Sequence, residues 1–115
     1  MAQYLIAFND GDMPYPRPPE VGKDAAAMLR DAKQAGVWVF GGGLETHEVV
    51  SVVAPDGTVT DGPYPETKEH LGGFAVVEVP TREAALYWAG RIAAACRAPQ
   101  QVFELLPPPP EVEGV

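Results

Sequence analysis

The chain has 115 residues, 46% of them hydrophobic, with 8 Lys+Arg against 16 Asp+Glu and a formal net charge of −8. That length suits one domain with a real core, while the acidic field and the scattered basic residues argue against a nucleic-acid partner. The single cysteine, Cys96, excludes a disulfide within these residues, and the lack of a spanning apolar run or a secretory pattern makes the cytoplasm, with no membrane partner, the expected location.

In chain order, Tyr4–Phe8 reads as a first strand buried on both faces. Asn9 to Pro19 is a polar and then proline-rich loop. From Glu20 to Ala35, Val21, Ala25, Met28, Leu29 and Ala32 fall on one helical stripe, and Gly36 suits the position after the helix end. Val37–Phe40 reads as a second strand leading into Gly41-Gly42-Gly43, where positive φ or a close backbone approach is expected. Val49–Ala54 and Thr58–Thr60 read as a hairpin around Pro55-Asp56-Gly57. Phe74–Val79 reads as a fifth strand. Thr81 is a good helix N-cap, Ala85, Trp88, Ala89, Ile92 and Cys96 form the next buried stripe, and Pro99 stops that helix. Gln101–Leu106 is a last strand.

Without the hairpin the order is β-α-β-β-α-β, so the expected fold is α+β and ferredoxin-like, with an inserted β-hairpin, an antiparallel sheet and two helices on one face. Residues 1–106 form the expected single domain, and 107–115 a proline-rich acidic tail prone to polyproline II. Strands apolar on both faces leave the second sheet face to be covered, most simply by another copy of the chain, which predicts a homodimer.

The chemistry-bearing residues concentrate in Thr60–Phe74, TDGPYPETKEHLGGF. Gly62 and Pro63 stiffen a bend carrying Asp61 and Tyr64. Asp61 is either a catalyst or a plain turn residue bonded to nearby backbone. Glu66, Thr67, Lys68 and Glu69 follow, as a pocket wall or as a solvated turn. Gly72-Gly73 marks close approach by a backbone or a ligand. Glu45 and His47 share a face if that segment is extended, giving His47 either a base role or that of an edge-strand histidine. Asp10 and Asp12 follow the first strand, as acid–base candidates or as a polar loop. Cys96 reads as a buried thiol. The candidate catalytic set is Asp61, Lys68, Glu66 and His47, and the ligand-binding set Tyr64, Thr67, Glu69, Gly72 and Gly73. Two histidines without diagnostic spacing predict no metal, and no cofactor is expected.

The stretch DGPYPETKEHLGGF resembles the motif of the DGPF group within the YCII-related domain proteins, with Tyr64 standing where that group usually has phenylalanine. The resemblance runs from Gln3 to about Leu106. It implies a ferredoxin-like fold and a dimer whose sheets pack together, as in dimeric α/β barrels. The wider group includes enzymes similar to muconolactone isomerases and a dehydrochlorinase, in which a histidine–aspartate pair moves protons. That histidine is expected near the N-terminal loop or first helix; this chain has none before His47, so the pair is not carried over. DGPF domains also occur beside sigma-factor genes, which implies a regulatory or ligand-sensing role. The expected function is small-metabolite binding or regulation, with cofactor-independent lyase or isomerase chemistry on a small organic acid or lactone as the alternative.

Overall fold

A computed structural model describes residues 1–14, 16–44, 50–62 and 71–109. The order is β1 (Ala2–Asn9), a 3-10 turn (Asp10–Asp12), α1 (Pro19–Gln34), β2 (Trp38–Gly43), β3 (Val50–Val53), β4 (Val59–Gly62), β5 (Leu71–Val79), α2 (Arg82–Cys96) and β6 (Gln101–Glu104). Four strands form one sheet in the order β2-β5-β1-β6, every neighbouring pair antiparallel. This is the ferredoxin-like α+β arrangement expected from the order of elements. The hairpin β3-β4 is a separate two-stranded sheet. Among the described residues, no helix is long and apolar enough to cross a membrane.

Local chemistry explains the boundaries. Pro19 opens α1, where a missing N–H costs nothing, and Gly36 follows it at φ 75°. Thr81 Oγ1 accepts from the Ala84 backbone N–H at 3.1 Å and caps α2. No glycine ends α2. Arg97 takes the left-handed conformation itself, at φ 59°. In the hairpin, Gly57 at φ 90° and a bond from its N–H to Ala54 O at 2.8 Å close the turn, and Asp56 accepts from the Thr58 N–H at 2.9 Å.

The core lies between both helices and one sheet face. Tyr4 and Ile6 of β1 and Ala75, Val77 and Val79 of β5 meet Met28 and Ala32 of α1 and Ala85, Trp88, Ala89, Ile92 and Ala95 of α2. Side chains alternate across a strand, so Leu5, Phe74 and Val76 belong to the opposite face. The first strand is buried on the core face at Tyr4 and Ile6, and on the opposite face Ala7 is buried while Leu5 is half-buried.

Two strands run further than the sequence suggests. Gly41–Gly43 are the end of β2 rather than a loop after it, and β5 begins at Leu71, so Gly72 and Gly73 lie inside it. Gly43 pairs with Gly73 and Gly42 with Phe74. Cross-strand pairing outweighs the poor strand propensity of glycine.

Candidate functional site

The expected close approach at the glycines is real, and aromatic side chains as well as backbone make it. A methyl group on Gly41 would stand 2.5 Å from Phe74 O and 2.9 Å from the Trp38 ring. One on Gly73 would stand 2.8 Å from the Phe8 ring, and one on Gly72 would meet both that ring, at 2.7 Å, and the Asp10 backbone. The glycines are therefore the floor on which Phe8 and Trp38 lie.

Above this floor the first helix stands off the sheet. On α1 the small residues Gly22 and Ala25 line the gap beside Val21, Met28 and Leu29, and the sheet offers Gly41, Gly42, Gly43 and Gly72. A cavity of about 420 Å³ results, a size that suits a small organic ligand. Ile6, Phe8, Val21, Met28, Leu29 and Trp38 give it apolar walls. Ala25 and Leu29, placed on the buried stripe by their spacing, are only half-buried because they border this space. The cavity opens to the surface and is a place for solvent or ligand.

Among the described residues, the polar ones lining it are Asp10, Arg17, Cys96 and Gln100. Asp10 leads the turn after β1 and lies against Gly72. Arg17 comes from the proline-rich loop, and its Nη2 contacts Met13 Sδ at 3.7 Å. Cys96 ends α2; burial pushes its thiol up, while Arg17 and Arg97 pull it partly back, so it is un-ionised at neutral pH. Gln100 follows Pro99. Its Nε2 donates to Ala98 O at 3.1 Å, which fixes the orientation of the amide, and its Oε1 is buried without a partner among the described residues.

Of the residues singled out in the sequence, Gly72 lines the cavity, Gly73 lies beside it under Phe8, and Asp10 lines it while Asp12 does not. Asp61 is exposed on β4, opposite Ser51 in the hairpin, and is not among the lining residues. His47, Tyr64, Glu66, Thr67, Lys68 and Glu69 lie outside the described residues. Arg17 and Gln100 carried no sequence signal, since a lone arginine among prolines and a glutamine after a helix look like ordinary surface residues.

The fold defines a ferredoxin-like α+β domain with a cavity under its first helix. The chain matches the YCII-related domain over residues 2–104 and belongs to that family. A comparison with curated proteins gives no match.

Proposed function

We propose that the chain is a small-metabolite-binding domain whose site is the cavity between α1 and the sheet. The observation that carries this is the cavity itself: about 420 Å³, apolar-walled, with a few converging polar groups. The lining includes small residues on both sides, Gly22 and Ala25 of α1 and Gly41, Gly42, Gly43 and Gly72 of the sheet, which leave room between them. A thermal-shift screen of small organic acids and lactones tests the reading, with Ala25→Phe as the cavity-filling control. A ligand at about a hundred times its Kd adds about 2.7 kcal/mol, a rise of roughly 10 °C for a domain of this size. Ala25→Phe abolishes that rise. No shift across the set, or an equal shift in the filled variant, rules the reading out.

Asp10 favours a second reading. A carboxylate at the wall of an apolar cavity is what lyase or isomerase chemistry on a small acid or lactone needs as a base. Asp10→Asn separates the two: under the enzymatic reading turnover is lost while binding persists. A homodimer formed through the open sheet face belongs to either reading, and is supported by Phe40 and Phe103, 63% and 50% exposed on strands at opposite edges of the sheet.

A further inference from the structure

The rings that line the cavity specify a class of ligand, and this step rests on the cavity reading above. Phe8 and Trp38 both border the space. Among the described residues the pairing of the four-stranded sheet shifts register at two places, and each adjoins one of these two residues. Trp38 and Phe40 stand two residues apart and would share a face in a regular strand. The shift between them pairs Trp38 with Val77 and Phe40 with Val76. Val76 and Val77 point to opposite faces, so Trp38 is sent to the helix side and Phe40 to the other. The second shift follows Phe8, which pairs with Gly73 while Asn9 pairs with Leu71, and it leaves Gly72 as an extra residue of β5. Methyl groups on Gly72 and Gly73 would both run into the Phe8 ring, at 2.7 and 2.8 Å, so the ring leans from β1 across the two glycines. Trp38 lies on Gly41 in the same way, 2.9 Å from the place of a methyl. Bulges re-aim side chains and recur beside ligand sites. Here two bulges and three strand glycines, each unfavourable to the strand itself, lay two aromatic rings on the floor of one cavity.

We infer that the cavity takes a fused two-ring aromatic compound, packed against Phe8 and Trp38 beneath α1. Gly73, under Phe8, pairs with Gly43, and Gly41, under Trp38, lies two residues along β2 from Gly43. The two supports are therefore diagonal neighbours, about 7–8 Å apart, so a fused bicycle reaches both rings and a single ring reaches one. The rings do not use each other: among the described residues the ring pairs are Phe40 with Phe74 and Tyr87 with Trp88. Offset or edge-to-face aromatic contacts are favoured beyond the area they bury. Val21, Met28 and Leu29 shelter any apolar ligand, whereas discrimination for aromatic rings resides in Phe8 and Trp38.

The test is calorimetric titration of the full chain with three probes: 2-naphthol, its saturated counterpart decahydro-2-naphthol, and phenol. The naphthol is expected to bind at least about tenfold tighter than either of the others. Phe8→Leu and Trp38→Leu each reduce its advantage over the saturated alcohol by about two- to tenfold, and melting temperatures without ligand check that both variants fold. Ala25→Phe, which fills the cavity, abolishes naphthol binding, and Phe40→Leu, on the opposite sheet face, leaves it unchanged. If a ring variant does not fold, the three probes on the wild-type chain and the Ala25 and Phe40 variants still decide the matter. Equal binding of the naphthol and the saturated alcohol overturns the aromatic preference, and phenol binding as tight as the naphthol overturns the two-ring span. Binding that survives Ala25→Phe, or that is lost in Phe40→Leu, puts the probe elsewhere and overturns the inference. In each of these cases the cavity reading stands. Binding by none of the three also overturns the inference, whereas the cavity reading falls only if the wider metabolite set fails as well to shift the melting temperature.

Discussion

Arg97 does with a side chain what most helices do with a glycine. Its left-handed backbone, φ 59°, carries a Cβ penalty of about 1–2 kcal/mol. The guanidinium works against that penalty, with Nη1 donating to Ala94 O at 3.0 Å and Ala95 O at 2.7 Å and Nη2 reaching Asp24 at 2.8 Å. These bonds satisfy carbonyls at the helix end and place a cation at its negative pole. Arg97→Ala keeps the strain and loses the bonds, whereas Arg97→Gly loses the bonds and the strain together. In urea titrations Arg97→Ala is therefore expected to be less stable than Arg97→Gly by about 1 kcal/mol; equal stabilities would mean the backbone is not strained there. Tyr4 sets a pH limit. Burial first, and then the nearby Glu104 carboxylate, raise its phenol above the ordinary value of about 10. A raised folded pKa favours the protonated form in the native state. Its contribution is complete below the unfolded pKa and is lost as pH rises through the folded one. Stability is expected to fall above about pH 10, and Tyr4→Phe to flatten that alkaline limb with little change at neutral pH, as read by denaturant midpoints across the range.

At the scale of elements, the order and type of every helix and strand could be read from period and punctuation. The stripes Val21-Met28-Ala32 and Ala85-Trp88-Ala89-Ile92 are buried as their spacing requires, Thr81 caps α2, and Pro55-Asp56-Gly57 turns the hairpin. The close approach at the glycines could be read as well, but not which groups make it or that the glycines lie inside strands, because that cause is not local. Gly41, Gly72 and Gly73 are strand residues kept small by Trp38, Phe8 and the neighbouring backbone, contacts made only once β1, β2 and β5 are side by side. Thr60–Phe74 concentrates ionisable groups in sequence; Asp61 pairs with Ser51 in the hairpin and residues 63–70 lie outside the described residues, while Asp10 and Arg17, from the loop after β1, line one cavity with Gln100, which follows α2. Two substitutions separate glycines that shape the sheet from those that merely border the cavity. Gly41→Ala would place a methyl within 2.5 Å of Phe74 O and 2.8 Å of Ala75 Cα, both backbone atoms that cannot move aside cheaply. A loss of about 3 kcal/mol or more is expected. Gly22 is in α1, and a methyl there meets nothing within 4 Å. Gly22→Ala is expected to stabilise the chain by about 0.5–1 kcal/mol through helix propensity alone. Thermal unfolding of both variants measures the contrast, and a destabilised Gly22→Ala would mean that α1 sits closer to the sheet than its cavity indicates.

At the scale of the whole molecule, the two faces of the sheet do different work. One carries the helices and the cavity. Across the other, the register lines up Phe40 with Val76, Val76 with Leu5, and Leu5 with Phe103, one apolar row crossing all four strands, and the Phe74 ring lies 5.8 Å from that of Phe40. Single exposed apolar residues are ordinary on a protein surface; a continuous row with both ends more than a third exposed is not. A second copy is the simplest cover, since a two-fold axis would lay the row against itself. Each copy carries a net charge of −8, so association works against mutual repulsion, and added salt should strengthen it by screening that repulsion over about 8–10 Å. The double variant Phe40→Glu, Phe103→Glu puts acids at both ends of the row without touching the helix face. Light scattering at micromolar concentration is expected to show a dimer for the wild-type chain, tightening with salt, and a monomer for the variant. Because the cavity is bounded by α1 and the opposite sheet face, the variant should still give the ligand-induced rise in melting temperature. Loss of both dimer and ligand response together would mean that the partner copy completes the site, and a wild-type chain that scatters as a monomer would leave the open face without a cover from its own kind.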